Sequence, residues 1–143
     1  ALAPDIDVVL VHDAARPLVP PELVTAVVTA VRQGHQAVVP GLHMVDTIKQ
    51  VDENDDVIGT ADRTRLRAVQ TPQGFQRSVL QAAHAAVDLD APVATDDAGL
   101  VESRGVTVHV IPGHEEAFKV TRPIDLVLAE AVLNRRRATG SVG

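Results

Sequence analysis

The chain has 143 residues, 45% of them hydrophobic, which is enough to build the core of one compact domain. Thirteen Lys and Arg against nineteen Asp and Glu leave a net charge of −6, and there is neither a basic block nor an aromatic stacking platform, so a small-molecule ligand is expected rather than a nucleic acid. The absence of cysteine excludes disulfides and zinc–thiolate sites and fits a reducing, cytoplasmic setting, and no apolar run approaches the ~20 residues that span a bilayer.

The first element is a short apolar run, Asp7 to Val11 (DVVLV), the pattern of a strand buried on both faces. Leu23, Val24, Val27, Val28 and Val31 then repeat at helical spacing, with Pro21 suited to the first turn and Gly34 to the end. Gln36 to Pro40 reads as a second strand, so the segment predicts a βαβ unit with a parallel sheet and a right-handed crossover. Residues 43–66 differ: two weak β runs flank the acidic turn Asp52 to Asp56, a hairpin projecting from the body. An isolated hairpin is marginal in water, so this arm is expected to lie against a second subunit.

Beyond the arm, Arg67 to Gln70 predicts a short strand, and Phe75, Val79, Leu80, Ala83 and Val87 mark a helix. Thr95 with Asp96 opens another that ends before Gly105, and the β-branched run Val106 to Ile111 predicts a strand. The last helix runs from about Ile124 to Arg136, begins with Thr121 and Pro123, and is apolar on most sides, which predicts that it is largely buried.

In open parallel sheets ligands bind outside the carboxyl ends of the strands. The motif VHDAARP starts there, so Asp13 can hold a divalent cation such as Mg²⁺ together with substrate phosphates, and Arg16 can offer a planar donor fork to a phosphate. The alternative is a turn-capping Asp13 paired with Arg16 in a surface bridge worth ~0–1 kcal/mol. Thr71 in TPQ, Thr95 in TDD and Lys119 in FKVTRP occupy similar loop positions. Helix capping by Thr95 and a snorkelling Lys119 are the simpler explanations of the last two. Thr47, Lys49 and Arg63 on the arm are either functional or a solvated polar face. The six histidines show no ligand-type spacing, and no GxSxG elbow, Walker loop or GxGxxG is present.

Taken in order, VLVHDAARP, DTIK, ADR, VQTPQGF, TDDAGLVE and FKVTRPIDLVLAE resemble the 2-C-methyl-D-erythritol 4-phosphate cytidylyltransferases, most nearly the actinobacterial members, from about residue 6 to residue 133. The resemblance implies a mostly parallel, Rossmann-like α/β nucleotidyltransferase sheet flanked by helices, with a projecting β-arm through which homodimers interlock. It implies Mg²⁺-dependent transfer of CMP from CTP to methylerythritol phosphate with release of pyrophosphate. Matched motif by motif, Asp13 would bind Mg²⁺ and help seat the substrate, and Arg16 would contact the methylerythritol phosphate. Thr47 and Arg63 would reach into the partner's active site, Arg63 and Lys119 would position the substrate phosphate, and Thr71 and Thr95 would line the pocket. Family members also begin with a strand and a glycine-rich loop carrying an arginine and a lysine, so residues 1–143 are expected to form the C-terminal portion of a single nucleotidyltransferase domain and to be inactive alone. The competing expectations are a cytidylyltransferase for another polyol phosphate such as ribitol 5-phosphate, and a non-catalytic dimerisation module.

Overall fold

In the computed structural model, which describes residues 2–86 and 94–140, the chain forms a five-stranded sheet flanked by helices and a separate two-stranded arm. Strand β1 (Val8–Val11) leads into helix α1 (Pro21–Arg32) and strand β2 (Ala37–His43). The helix begins with Pro21, carries Glu22 in its first turn and Arg32 in its last, and leaves through Gly34 at φ 114°, a left-handed position open to glycine. Leu23, Val27, Ala30 and Val31 are its buried stripe. β2 is buried from Ala37 to Gly41 and forms the centre of the sheet.

β1 and β2 run in the same direction, as the βαβ pattern predicts, but they are not neighbours. Strand β6 (Gln73–Gln76) lies between them, antiparallel to both. Strand β7 (Val108–Pro112) pairs parallel with β2 along its other edge, and β5 (Arg67–Val69) continues antiparallel beside the last residues of β2. Because β7 overlaps the registers of both, β5 and β6 share one edge of β2 and amount to one strand interrupted at Gln70–Pro72, where the Thr71–Pro72 bond is cis.

Phe75, expected on a helix, belongs to β6 and is fully buried against Ala37, Leu80, Ala83 and Val101; the helix, α2 (Arg77–Ala85), starts two residues later. The run QGFQ has no β-branched residue, and Phe75 happens to sit at helical spacing from Val79, so tertiary pairing overrides the local pattern. Val87, assigned to the same helix, lies outside the described residues. Gly74 explains how α1 can ride over β6: a Cβ there would stand 2.5 Å from Val27 Cγ1.

Helix α3 (Asp97–Glu102) and helix α4 (Pro123–Ala138) complete the fold. α4 corrects the expectation of burial. Only Asp125 and Val132 are buried, while Ile124 and Val127 are each 62% exposed, with Leu126, Leu128 and Leu133 also exposed. Apolar composition shows that a face wants cover, not that this chain supplies it. The arm consists of β3 (Lys49–Val51) and β4 (Val57–Thr60) and pairs with no other strand among the described residues. Its turn is fixed by Asp52, whose Oδ1 accepts from Asn54 N and Asp56 N, and Val51, Val57 and Ile58 face solvent.

Candidate active site

The carboxyl ends of β1 and β7 and the break between β5 and β6 meet at one edge of the sheet. Asp13 stands two residues beyond β1. Its Oδ1 accepts from Ala15 N at 3.0 Å, closing a local turn, and its Oδ2 faces Lys119 Nζ at 3.0 Å. The Lys119 hydrogen bond first, and the Ala15 amide second, hold the Asp13 carboxyl below the usual carboxylate range. Both side chains remain open to solvent, 30% for Asp13 and 50% for Lys119, so the pair contributes little to stability and opens cheaply.

Thr71 enters from the interrupted strand. Its Oγ1 accepts from Asp13 N at 3.0 Å and lies 2.9 Å from His12 Nδ1, while His12 Nε2 lies 3.0 Å from the Arg16 carbonyl. A carbonyl only accepts, so Nε2 donates to it; in the neutral ring Nδ1 accepts from the Thr71 hydroxyl. This ring of bonds fixes the HDAAR turn to Thr71. Arg16 crosses to the loop after β7, donating from Nη1 to Ala117 O at 2.7 Å, with Nη2 3.5 Å from Val69 O. Its Nε is buried and has no protein partner. A backbone bond from Val120 N to Ala15 O, 2.7 Å, fastens the same two loops.

Two buried glutamines flank Thr71 and Pro72 and extend the assembly. Gln70 donates to His114 O at 2.9 Å and accepts from His114 N at 3.0 Å, pinning the exit of β7. Gln73 donates to Asp96 Oδ2 at 2.8 Å and accepts from Ala98 N at 3.1 Å, drawing the start of α3 to the same edge. The cap of α3 is Asp96, which accepts from Gly99 N at 2.7 Å, and Thr95 is an exposed neighbour of that cap.

Asp13, Arg16, Thr71 and Lys119 are therefore joined in one network, and Thr95 adjoins it through Asp96 and Gln73. Thr47 and Arg63 are not brought there within one chain. Both are exposed on or beside the arm, where Arg63 Nη1 donates to Val45 O at 2.7 Å and Lys49 Nζ to Thr60 Oγ1 at 2.7 Å. His12, Gln70 and Gln73 are site-building residues that spacing did not reveal. The signal for the glutamines was their position on either side of the TP pair in a segment otherwise inward-facing.

A hollow of about 430 Å³ opens beside the network, lined among others by Leu10, His12, Arg16, Val24 and Pro72. No group of three or more His, Asp or Glu residues arranged for a metal occurs among the described residues. Asp13 does fit the way Mg²⁺ is commonly held, by one or two carboxylates together with waters and substrate phosphates, because it is ionised and solvent-facing.

Comparison with known proteins identifies the family. The family model described as 2-C-methyl-D-erythritol 4-phosphate cytidylyltransferase matches residues 1–135. A protein of that name from Streptomyces avermitilis is 61% identical across 96% of this chain and 56% of its own length. One from Streptomyces coelicolor is 59% identical across 96% of this chain and 52% of its own. The crystal structure of the protein so named from Thermus thermophilus superposes with a TM-score of 0.78 at 43% identity, covering 90% of this chain and 62% of that one. The chain thus spans about half the length of the curated relatives it matches. With the motifs of the HDAARP, TPQ and FKVTRP loops meeting in one network, and with a family match along nearly its whole length, the chain belongs to the 2-C-methyl-D-erythritol 4-phosphate cytidylyltransferase family.

Proposed function

We propose that the protein containing this chain transfers CMP from CTP to 2-C-methyl-D-erythritol 4-phosphate. The observation that carries this reading is the Asp13–Lys119 pair, held in one network with Arg16 and Thr71 at the carboxyl ends of the strands. In the reaction an oxygen of the 4-phosphate forms a bond to the α-phosphorus of CTP, the bond from that phosphorus to the β-phosphate bridge breaks, and pyrophosphate leaves. Two polyanions must approach in line, so the protein's task is positioning and neutralisation rather than covalent chemistry.

The residues suit that task. Lys119 gives up its bond to Asp13 when a phosphate arrives and donates to the phosphate instead, a cheap exchange for a solvent-open pair. The freed Asp13 carboxylate would be the residue to hold Mg²⁺, whose charge would help neutralise the phosphates. Arg16 keeps its Nη1 on Ala117 O, and its guanidinium charge favours an anion in the adjoining hollow. Thr71 holds His12, which lines the adjoining hollow.

The reading extends to a homodimer built through the arm. Exposed Val51, Val57 and Ile58 need cover, and Thr47 and Arg63 find their place only if they serve the neighbouring subunit's site. A cytoplasmic location fits the absence of cysteine. The names of the relatives favour methylerythritol phosphate over ribitol 5-phosphate as acceptor. Pyrophosphate release from CTP with each polyol phosphate, measured with and without Mg²⁺, tests the proposal. Faster release with ribitol 5-phosphate, or none with methylerythritol phosphate, refutes it.

A further inference from the structure

Arg136, near the end of α4, bonds to two loops rather than one. Its Nε donates to Glu116 Oε2 at 3.0 Å, and its Nη2 donates both to that oxygen and to the Leu18 carbonyl, the latter at 2.6 Å. Arg135 holds the other oxygen of Glu116. Leu18 lies on the loop that carries Asp13 and Arg16, and Glu116 precedes Ala117 and Lys119 on the opposite loop. Between these two anchors the loops are stitched by Val120 N to Ala15 O, Arg16 to Ala117 O, and Lys119 to Asp13.

Two features separate this contact from an ordinary surface pair. Its members are largely withdrawn from water, Glu116 at 12% and Arg136 at 24% side-chain exposure. The hydrogen bonds of Arg136, then of Arg135, hold the Glu116 carboxyl below its usual range, so it stays ionised. α4 itself supplies little apolar packing, burying only Asp125 and Val132, so polar bonds such as these do more to tie it down. A forked guanidinium is the side chain that can serve a carboxylate and a carbonyl at once.

We propose that Arg136, acting with Glu116, is a positioning residue of the cytidylyl-transfer site, clamping the two loops so that Arg16 and Lys119 keep their spacing. The inference rests on reading Asp13, Arg16 and Lys119 as the phosphate cradle. Arg136 touches no reacting atom; it acts through the Leu18 carbonyl and the Glu116 carboxylate.

The test uses Arg136→Gln, Arg136→Lys and Glu116→Gln in the protein containing this chain, with CTP and methylerythritol phosphate. A misplacement of about 1 Å can cost up to about a hundredfold in rate, so Arg136→Gln is expected to lower kcat about tenfold or more while KM for CTP moves less than about twofold. Amide exchange at Val120, whose N–H bonds to Ala15 O, should quicken about tenfold, with the amides of Val38 and Val39 in β2 unchanged. Arg136→Lys, which has no fork, should fall between wild type and Arg136→Gln, and Glu116→Gln supplies a milder loss if Arg136→Gln does not fold. Unchanged kcat in Arg136→Gln overturns the proposal, and so does faster exchange throughout β2, which marks a merely structural role. If the wild-type protein transfers no CMP, the functional reading fails, and exchange at Val120 still decides whether the clamp joins the loops.

Discussion

The Asp13 carboxylate and the Lys119 ammonium, from opposite ends of the chain, stand 3.0 Å apart with solvent on one side. In the proposed reaction they part, one to the cation and one to a phosphate. Asp13→Ala should therefore lower Mg²⁺-dependent transfer about a hundredfold or more, the scale seen when a preorganised electrostatic group is removed. Thermal stability should change little, because an exposed pair is worth ~0–1 kcal/mol. In a double-mutant cycle with Lys119→Met the two losses in kcat should not add, since both residues act on the same pair of phosphates. Full activity in Asp13→Ala, assayed by pyrophosphate release, would remove the carboxylate from the mechanism.

Arg63 donates to Val45 O and, among the described residues, makes no bond to the Asp13 network, so the role proposed for it lies in a neighbouring subunit's site. Arg63→Ala should impair transfer without unfolding the sheet. Mixing Arg63→Ala with Asp13→Ala subunits should restore activity, because each mixed dimer of a symmetric pair regains one unmutated site out of two. Absence of any recovery in the mixture would contradict the exchange of arms.

Local pattern carried part of this structure, and long-range pairing carried the rest. β1, α1, β2 and the arm could be read in the sequence because each has its own signal: a continuous apolar run, a helical stripe with Pro21 and Gly34 at its ends, and an acidic turn between weak strands. β6 could not, because its only apolar side chain is Phe75 and its strand character comes from pairing with β1 and β2. Asp13 was legible from its place after β1, whereas its meeting with Lys119 depends on the path of β7, which no local pattern encodes. His12 has no ligand-type spacing to mark it, since its work is to join Thr71 to the Arg16 carbonyl. The exposure of α4 was illegible for a different reason: its apolar residues are the same whether this chain or another covers them.

Gln70 gives a measurable handle on the exit of β7. Replacing it with Ala leaves His114 N without its acceptor and removes one of the two bonds to His114 O, which also accepts from Ala117 N; each lost hydrogen bond costs about 0.5–1.5 kcal/mol. Gly113→Ala attacks the same contact from the other side, since a Cβ would lie 2.4 Å from Gln70 Oε1 and 3.1 Å from the backbone carbon of Gly41. Both variants should lower the denaturant midpoint, and their combination should cost less than the sum because the second has less left to disrupt. A Gly113→Ala protein as stable as wild type would show that Gln70 is free to move aside.

Asp125 ties the site to α4, and its titration should be visible in stability. Its Oδ2 accepts from Arg122 N at 2.8 Å and Thr121 N at 3.2 Å, just past Lys119, and its Oδ1 pairs with Arg122 Nη2 at 3.2 Å. The Arg122 side chain first, and the Arg122 and Thr121 amides after it, lower the Asp125 pKa from 3.8 to about 2. A folded pKa below the unfolded one means that folding favours the ionised form. The stabilisation is fully present above the unfolded value and disappears as pH falls through the folded one. Asp125→Asn, which keeps the shape and removes the charge, should thus melt below wild type at pH 6, with the gap in Tm narrowing between about pH 4 and pH 2. The same bonds cap the first turn of α4, so the variant should also quicken amide exchange there at neutral pH. A gap that stays constant down to pH 2 would mean that Asp125 stabilises the turn by shape alone, and that its charge does not help hold the end of the Lys119 loop.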